Sequence, residues 1–178
     1  MPKTRSTSRG RSKARKTGAK RKTRGSAPQR QDAIALLRAD HKAVSDQFAD
    51  YDRRKDRLSD DRKLEMVREI CRALKVHTQI EEEIFYPAAR GSIPKTGELL
   101  DEANVEHASA KDLIRQLEEA RPEDDLYDAK VKVLGEYVKH HVKEEQNELF
   151  QMVKKSRLDT RELGEELKRR KEELMGAV

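Results

Sequence analysis

Apolar residues return every three or four positions along most of this chain, the spacing that gathers them on one face of a helix. From about Gln31 to Arg57 the series is Ile34, Leu37, Val44, Phe48 and Tyr51, with His41 filling the gap between Leu37 and Val44. Asp32 falls in the first turn, and Ser59, Asp60 and Asp61 mark a break and a new start. A second series, from about Asp60 to Ala89, runs Leu64, Val67, Ile70, Leu74, His77, Glu81, Ile84 and Phe85. Arg90 to Pro94 end it, with Gly91 expected to turn left-handed and Pro94 unable to continue a helix. A third helix is predicted from about Thr96 to Arg121 on Leu100, Ala103, His107, Ala110, Ile114 and Leu117. After a turn at Pro122, Glu123 and Asp124, a fourth reaches about residue 156 and carries Val131, Leu134, Val138, His141, Glu145, Leu149 and Met152. Gly135 weakens it by up to about 1 kcal/mol relative to Ala. Arg157 to Thr160 break the pattern, and Asp159 and Glu162 have capping-box spacing. Leu163, Leu167 and Leu174 then give a short fifth helix a thin apolar edge, open to packing on the bundle, joining a partner or fraying.

The expectation is an all-α four-helix bundle in which each stripe contains one histidine. A lone stripe histidine is usually a hydrogen-bonded core residue, so the positions of all four matter more than any single one. In antiparallel hairpins, residues equally distant from a turn lie at equal height. His41 and His77 are each 18 residues from Ser59, His77 and His107 each 15 from Ser92, and His107 and His141 are 16 and 18 from Glu123. The four imidazoles therefore share one level, with Glu81 and Glu145 one turn beyond His77 and His141. Burying an ionised carboxylate unpaired costs several kcal/mol, so two core glutamates require cations. Imidazole with carboxylate suits iron, manganese or zinc, and two bridging carboxylates favour a two-metal centre. His140 with Glu144 repeats the four-residue spacing, but its stripe through Val133, Tyr137 and Glu148 is less apolar than that of His141. Glu82 and Glu144 are candidates to support the ligands from outside or to stay solvated. Tyr137, one turn before His141, is a candidate donor to that ring or a packing residue.

Composition adds a second part. Hydrophobic residues make up 34% of the chain and charged ones 42%, without Trp, which fits amphipathic helices. Cys71 alone excludes an intramolecular disulfide and suits a reducing compartment, as a buried small hydrophobe. No apolar run approaches the ~18 residues of a membrane span. The net charge of +6 is split: residues 1–30 hold 12 Lys and Arg and no acid, whereas the remaining 148 residues sum to −6. Residues 1–29 lack Val, Ile, Leu and aromatics, so nothing offsets the entropy of ordering them. They also lack the apolar region of a secretory signal and the amphipathic face of a transit peptide. The expectation is a disordered basic tail, histone-like in composition, whose Arg11, Lys13, Arg15, Lys16, Lys20, Arg21, Lys22 and Arg24 contact nucleic-acid phosphates. Solubilising the chain is the plainer role for such a tail. Three segments follow: the tail (1–29), the bundle (30–156) and a C-terminal helical extension (157–178), in an expected cytoplasmic setting, with nucleoid association the further expectation read from the tail.

His41, then His77 with Glu81, then His107, then His141 with Glu145 resembles the hemerythrin-like, or HHE cation-binding, domain, whose motif is His, His-x3-Glu, His, His-x3-Glu. The segments EEEIFYP after His77 and EEQNELF after His141 look like the EExxxFP segment of that family. The resemblance covers about residues 31–156. It implies an up-down-up-down bundle with a non-haem di-iron centre, two Fe ions bridged by the two glutamates. Oxygen-carrying hemerythrins have a second histidine where this chain has Lys111, and an aspartate where it has Gln146. Those departures argue against reversible oxygen carriage. The function expected is sensing or handling of iron, oxygen, peroxide or nitric oxide, with the tail on nucleic acid. The alternatives are a peroxidase or ferroxidase that protects against stress, and a structural metal bundle whose tail binds DNA.

Overall fold

A computed structural model of the chain describes residues 31–176, and within them all regular structure is helical. The basic residues Arg11 to Arg24 expected to contact phosphates lie outside the described residues. The first stripe forms α1 (Ala33–Arg54), capped by Asp32, whose Oδ1 accepts from the N–H groups of Ile34 (3.0 Å) and Ala35 (3.2 Å). A 3-10 turn, Lys55–Arg57, leads to α2 (Asp60–Ile80). Then come α3 (Tyr86–Ser92), α4 (Gly97–Glu119), α5 (Tyr127–Asn147), α6 (Leu149–Lys155) and α7 (Thr160–Gly176). Helix α1 packs on α2 and α5, and α4 packs on α5 and α2, closing a four-helix bundle. No helix among the described residues is long and apolar enough to cross a membrane.

The second and fourth predicted helices are each interrupted just beyond their glutamate. After α2, Glu81–Phe85 form one wide π turn, in which the Tyr86 N–H bonds to the Glu81 carbonyl five residues back. Pro87 explains the position: it has no N–H to donate, and in an unbroken α-helix its ring would press on the carbonyl of Glu83. The fourth helix breaks at Glu148 (φ −114°, ψ −71°). This rotates the inward face, so Phe150 and Val153 are buried where the uninterrupted pattern pointed to Met152, which is half-buried. Phe85 and Phe150 then meet edge to face, with centroids 5.7 Å apart.

Two apolar clusters fill the bundle. One gathers Leu37, Ile80, Phe85, Leu100, Leu149 and Phe150; the other gathers Val44, Ile70, Leu74, Ile114, Val131 and Leu134. In α1, α2 and α4 the histidine lies between the residues given to one cluster and those given to the other, and His141 likewise lies between Leu134 of α5 and Leu149 of α6. The polar layer therefore divides the core.

The left-handed residue after α3 is Lys95 (φ 70°), not Gly91, through which α3 continues to Ser92. Pro94 fixes the preceding position as in a type II turn, and the Thr96 hydroxyl ties back to the Ile93 carbonyl at 3.0 Å. A side chain at this φ is strained, so Lys95→Gly should stabilise the fold by about 0.5–1 kcal/mol in thermal unfolding.

Of the three outlets open to the fifth helix, packing on the bundle is the one taken. Asp159 caps α7 by accepting from Arg161 N and Glu162 N, each at 3.0 Å. Leu163 and Leu167 are buried against α1, α2 and the π turn. The Thr160 hydroxyl donates to Asp32, Lys171 pairs with Asp40, and Arg170 Nε lies 2.7 Å from Glu83.

Candidate metal centre

Four helices deliver one imidazole each to the dividing layer: His41 from α1, His77 from α2, His107 from α4 and His141 from α5. All four are buried, as are Glu81 and Glu145. Their Nε2 atoms point inward. His41 and His77 approach to 3.0 Å, and His107 and His141 to 3.2 Å. Glu81 joins the two pairs: its Oε1 is 3.2 Å from His77 Nε2, and its Oε2 is 3.5 Å from His107 Nε2. Glu145 Oε2 lies 3.3 Å from His41 Nε2. The side chains thus form two trios, His41–His77–Glu81 and Glu81–His107–His141, with Glu81 common to both.

The outward nitrogens are held as systematically as the inward ones. Asp40 of α1 faces His77 Nδ1 (3.7 Å), Glu82 of the π turn bonds His107 Nδ1 (3.0 Å), Glu106 of α4 bonds His141 Nδ1 (2.8 Å), and Gln146 of α5 bonds His41 Nδ1 (3.0 Å). Each helix orients the histidine of the next, and the cycle closes. Every one of these partners is the immediate sequence neighbour of a histidine or glutamate in the layer. Lys111 grips Glu82 (2.7 and 2.6 Å), and Lys171 of α7 pairs with Asp40. Hydrogen bonds to His107 and Lys111 keep the Glu82 carboxyl below its usual range, and a bond to His141 does the same for Glu106. Both are therefore ionised and accept only.

That arrangement decides what the centre fits. Because Glu82 and Glu106 accept, the Nδ1 atoms of His107 and His141 donate outward, which leaves Nε2 of each ring as its inward ligand atom. With these Nε2 atoms 3.2 Å apart in a buried site, a proton or a metal ion must lie between them. Glu81 Oε1 and both oxygens of Glu145 are also buried with no hydrogen-bond partner among the described residues. Metal–ligand bonds of about 2.1 Å at tetrahedral to octahedral angles separate ligand atoms by about 3.0–3.4 Å, close to the spacings here. The residues fit a pair of metal ions.

Without a metal, protons do the neutralising. Burial opposes charge on His41, but the carboxylates of Glu145 and Glu81 outweigh it and raise the ring to about 9. Burial and the neighbouring Glu81 raise Glu145. A pKa above the unfolded value of about 6.5 means protonated His41 stabilises the metal-free fold fully below pH 6.5 and loses that effect as pH rises through 9. A metal displaces this proton, so affinity should tighten roughly tenfold per pH unit up to about pH 9. Calorimetry at pH 7.5 in buffers of different ionisation enthalpy should register at least one proton released on filling.

His140 and Tyr137 take positions outside the layer. His140 is exposed and pairs with Glu144 at 3.2 Å. Tyr137 is 48% exposed, whereas the buried Tyr86, which the stripe pattern does not single out, brings its hydroxyl within 3.4 Å of His107 Nε2 and 3.5 Å of Glu81. A cavity of about 30 Å³ adjoins all four histidines between Val44, Leu74, Ala110 and Val138, room for a water-sized molecule. A larger groove of about 590 Å³ runs between α1 and α5 and reaches His41 and Gln146 past Phe48 and Val142.

The sequence pattern of the Hemerythrin HHE cation binding domain matches residues 32–153. A DNA nickase from Nostoc sp. is 28% identical over 135 residues, which are 74% of this chain and 36% of that protein. The chain therefore spans about a third of that relative's length. The crystal structure of a Hemerythrin HHE cation binding domain-containing protein from Mycobacterium kansasii superposes with a TM-score of 0.68 at 20% identity, covering 83% of this chain and 89% of that one. At that identity the likeness is one of fold.

Proposed function

The chain belongs to the hemerythrin HHE cation-binding family, and from that premise we propose that it is a non-haem di-iron protein that senses or handles a small oxidant. His41, His77, Glu81, His107, His141 and Glu145 would hold the ions. The observation that carries this reading is the inward convergence of four Nε2 atoms, with the Nδ1 atoms of His41, His107 and His141 hydrogen-bonded elsewhere and that of His77 facing Asp40 at 3.7 Å. Iron would supply redox chemistry there, and the protein's own part is to fix the rings, exclude bulk water and admit a diatomic or peroxide ligand through the small apolar cavity beside the histidines. Lys111 and Gln146 support this over oxygen carriage. They stand where oxygen carriers have ligands, and here they hold Glu82 and His41 from outside. Anaerobic titration with Fe²⁺ tests the reading: saturation at two ions per chain is expected, and saturation below one overturns it. Peroxide consumption by the loaded protein would favour the enzymatic version.

The basic tail is assigned to nucleic acid on its charge, with the DNA nickase relative as circumstantial support. Removing residues 1–29 should abolish salt-sensitive retention on DNA while leaving two bound ions per chain; retention that persists would move the contact into the bundle.

A further inference from the structure

Glu106 faces two ways. Its Oε2 holds His141 at 2.8 Å, and its Oε1 lies 3.5 Å from Nε2 of the exposed His140. His140 Nε2 is in turn 3.2 Å from Glu144 Oε1. One ligand atom from each of Glu106, His140 and Glu144 lies within 4.8 Å of the others. Their side chains are 22%, 60% and 32% exposed, so solvent reaches all three.

A second observation links this cluster to the interior. A cavity of about 10 Å³ between α4 and α5 has Glu102, Glu106 and Glu144 on its outer side and His141 and Glu145 on its inner side. Glu145 is only 3% exposed, and neither of its oxygens has a hydrogen-bond partner among the described residues, Oε2 lying 3.3 Å from His41 Nε2. An unsatisfied carboxylate thus ends the path that begins at the exposed trio. The α1–α5 groove instead mixes Lys55, Lys132, Lys139 and Lys143 with Asp52, Asp128 and Glu136, and Lys55 pairs with Asp52 at 2.7 Å, so it lacks the purely acidic polar lining of the α4–α5 mouth.

We propose that Glu106, His140 and Glu144 form an outer divalent-cation site that loads the buried centre through the α4–α5 gap, a role that rests on the metal-binding reading above. The cavity is at the lower limit for a single water, so the ion moves by exchanging ligands rather than through an open pore. Glu106 and the His140–His141 and Glu144–Glu145 neighbours supply an outer and an inner ligand at each stage of that exchange. An acidic mouth also concentrates cations at the surface.

The test uses the full-length metal-free chain mixed with Co²⁺, with uptake followed by visible absorption in stopped flow. The double variant H140A/E144Q should still bind two ions but fill at least about tenfold more slowly, because the mouth no longer gathers the ion. Both side chains are on the surface, and helical content by circular dichroism verifies the fold. Lys139→Gln, on the groove rim, should not slow filling. An unchanged rate in the double variant, or an equal slowing in Lys139→Gln, overturns the loading site alone. A wild-type chain that takes up no Co²⁺ overturns the metal reading and the loading site with it.

Discussion

Glu81→Ala should empty both halves of the centre at once. The side chain is fully buried, sits 3.2 Å from His77 Nε2 and 3.5 Å from His107 Nε2, and belongs to both trios. Its loss removes a ligand from each ion and a negative charge that offsets them. Bound iron after reconstitution and dialysis should fall from about two per chain to below about 0.2, a larger loss than the 10–100-fold weakening typical when only an outer partner such as Glu106 is changed. Helical content should persist, because Glu145 remains beside His41 as its buried counter-ion, although the metal-free fold loses the share that Glu81 contributes. Retention of both ions in Glu81→Ala, measured by elemental analysis, would refute the bridging role.

The second large effect concerns stability, not metal. At Gly164, α7 crosses the start of α1 so closely that a Cβ would lie 2.0 Å from the Gln31 carbonyl oxygen and 2.8 Å from the Ala33 N. Backbone atoms cannot rotate aside as a side chain would. Gly164→Ala must therefore push α7 away from Leu36, Leu37 and the π turn, at a cost of about 2–3 kcal/mol. For a domain of this size that lowers Tm by about 5–10 °C. An unchanged melting curve would show that α7 does not rest on α1 as the structure has it.

Much of this was legible in the sequence because burial and helical period leave the same mark. The four histidines and two glutamates occupy apolar stripe positions, so a residue of the wrong polarity in the right phase pointed to them. The outer partners carry no such mark. Asp40, Glu106 and Gln146 are polar residues at half-buried positions, indistinguishable by pattern from solvated ones, and the contacts that define them cross between helices. Their adjacency to a layer residue is the one signal that pattern reading could have used. The interruptions after Glu81 and Glu145 were missed for a different reason: a continuous 3.6-residue period cannot represent an inserted turn, although Pro87 flagged the first. The docking of α7 depends on Gly164, whose role is the absence of a side chain where two backbones meet. Gly91 misled because it offered the freedom a chain reversal needs, yet Pro94 placed the turn four residues later, at Lys95.

The loading site and the central layer make separable claims about where metal resides, and one experiment addresses the layer directly. Crystals of the iron-loaded protein measured at the iron absorption edge should give two anomalous peaks per chain, one beside His41 and His77 and one beside His107 and His141, with Glu81 between them. A single peak, or density at His140 and Glu144 with none in the layer, would contradict the account.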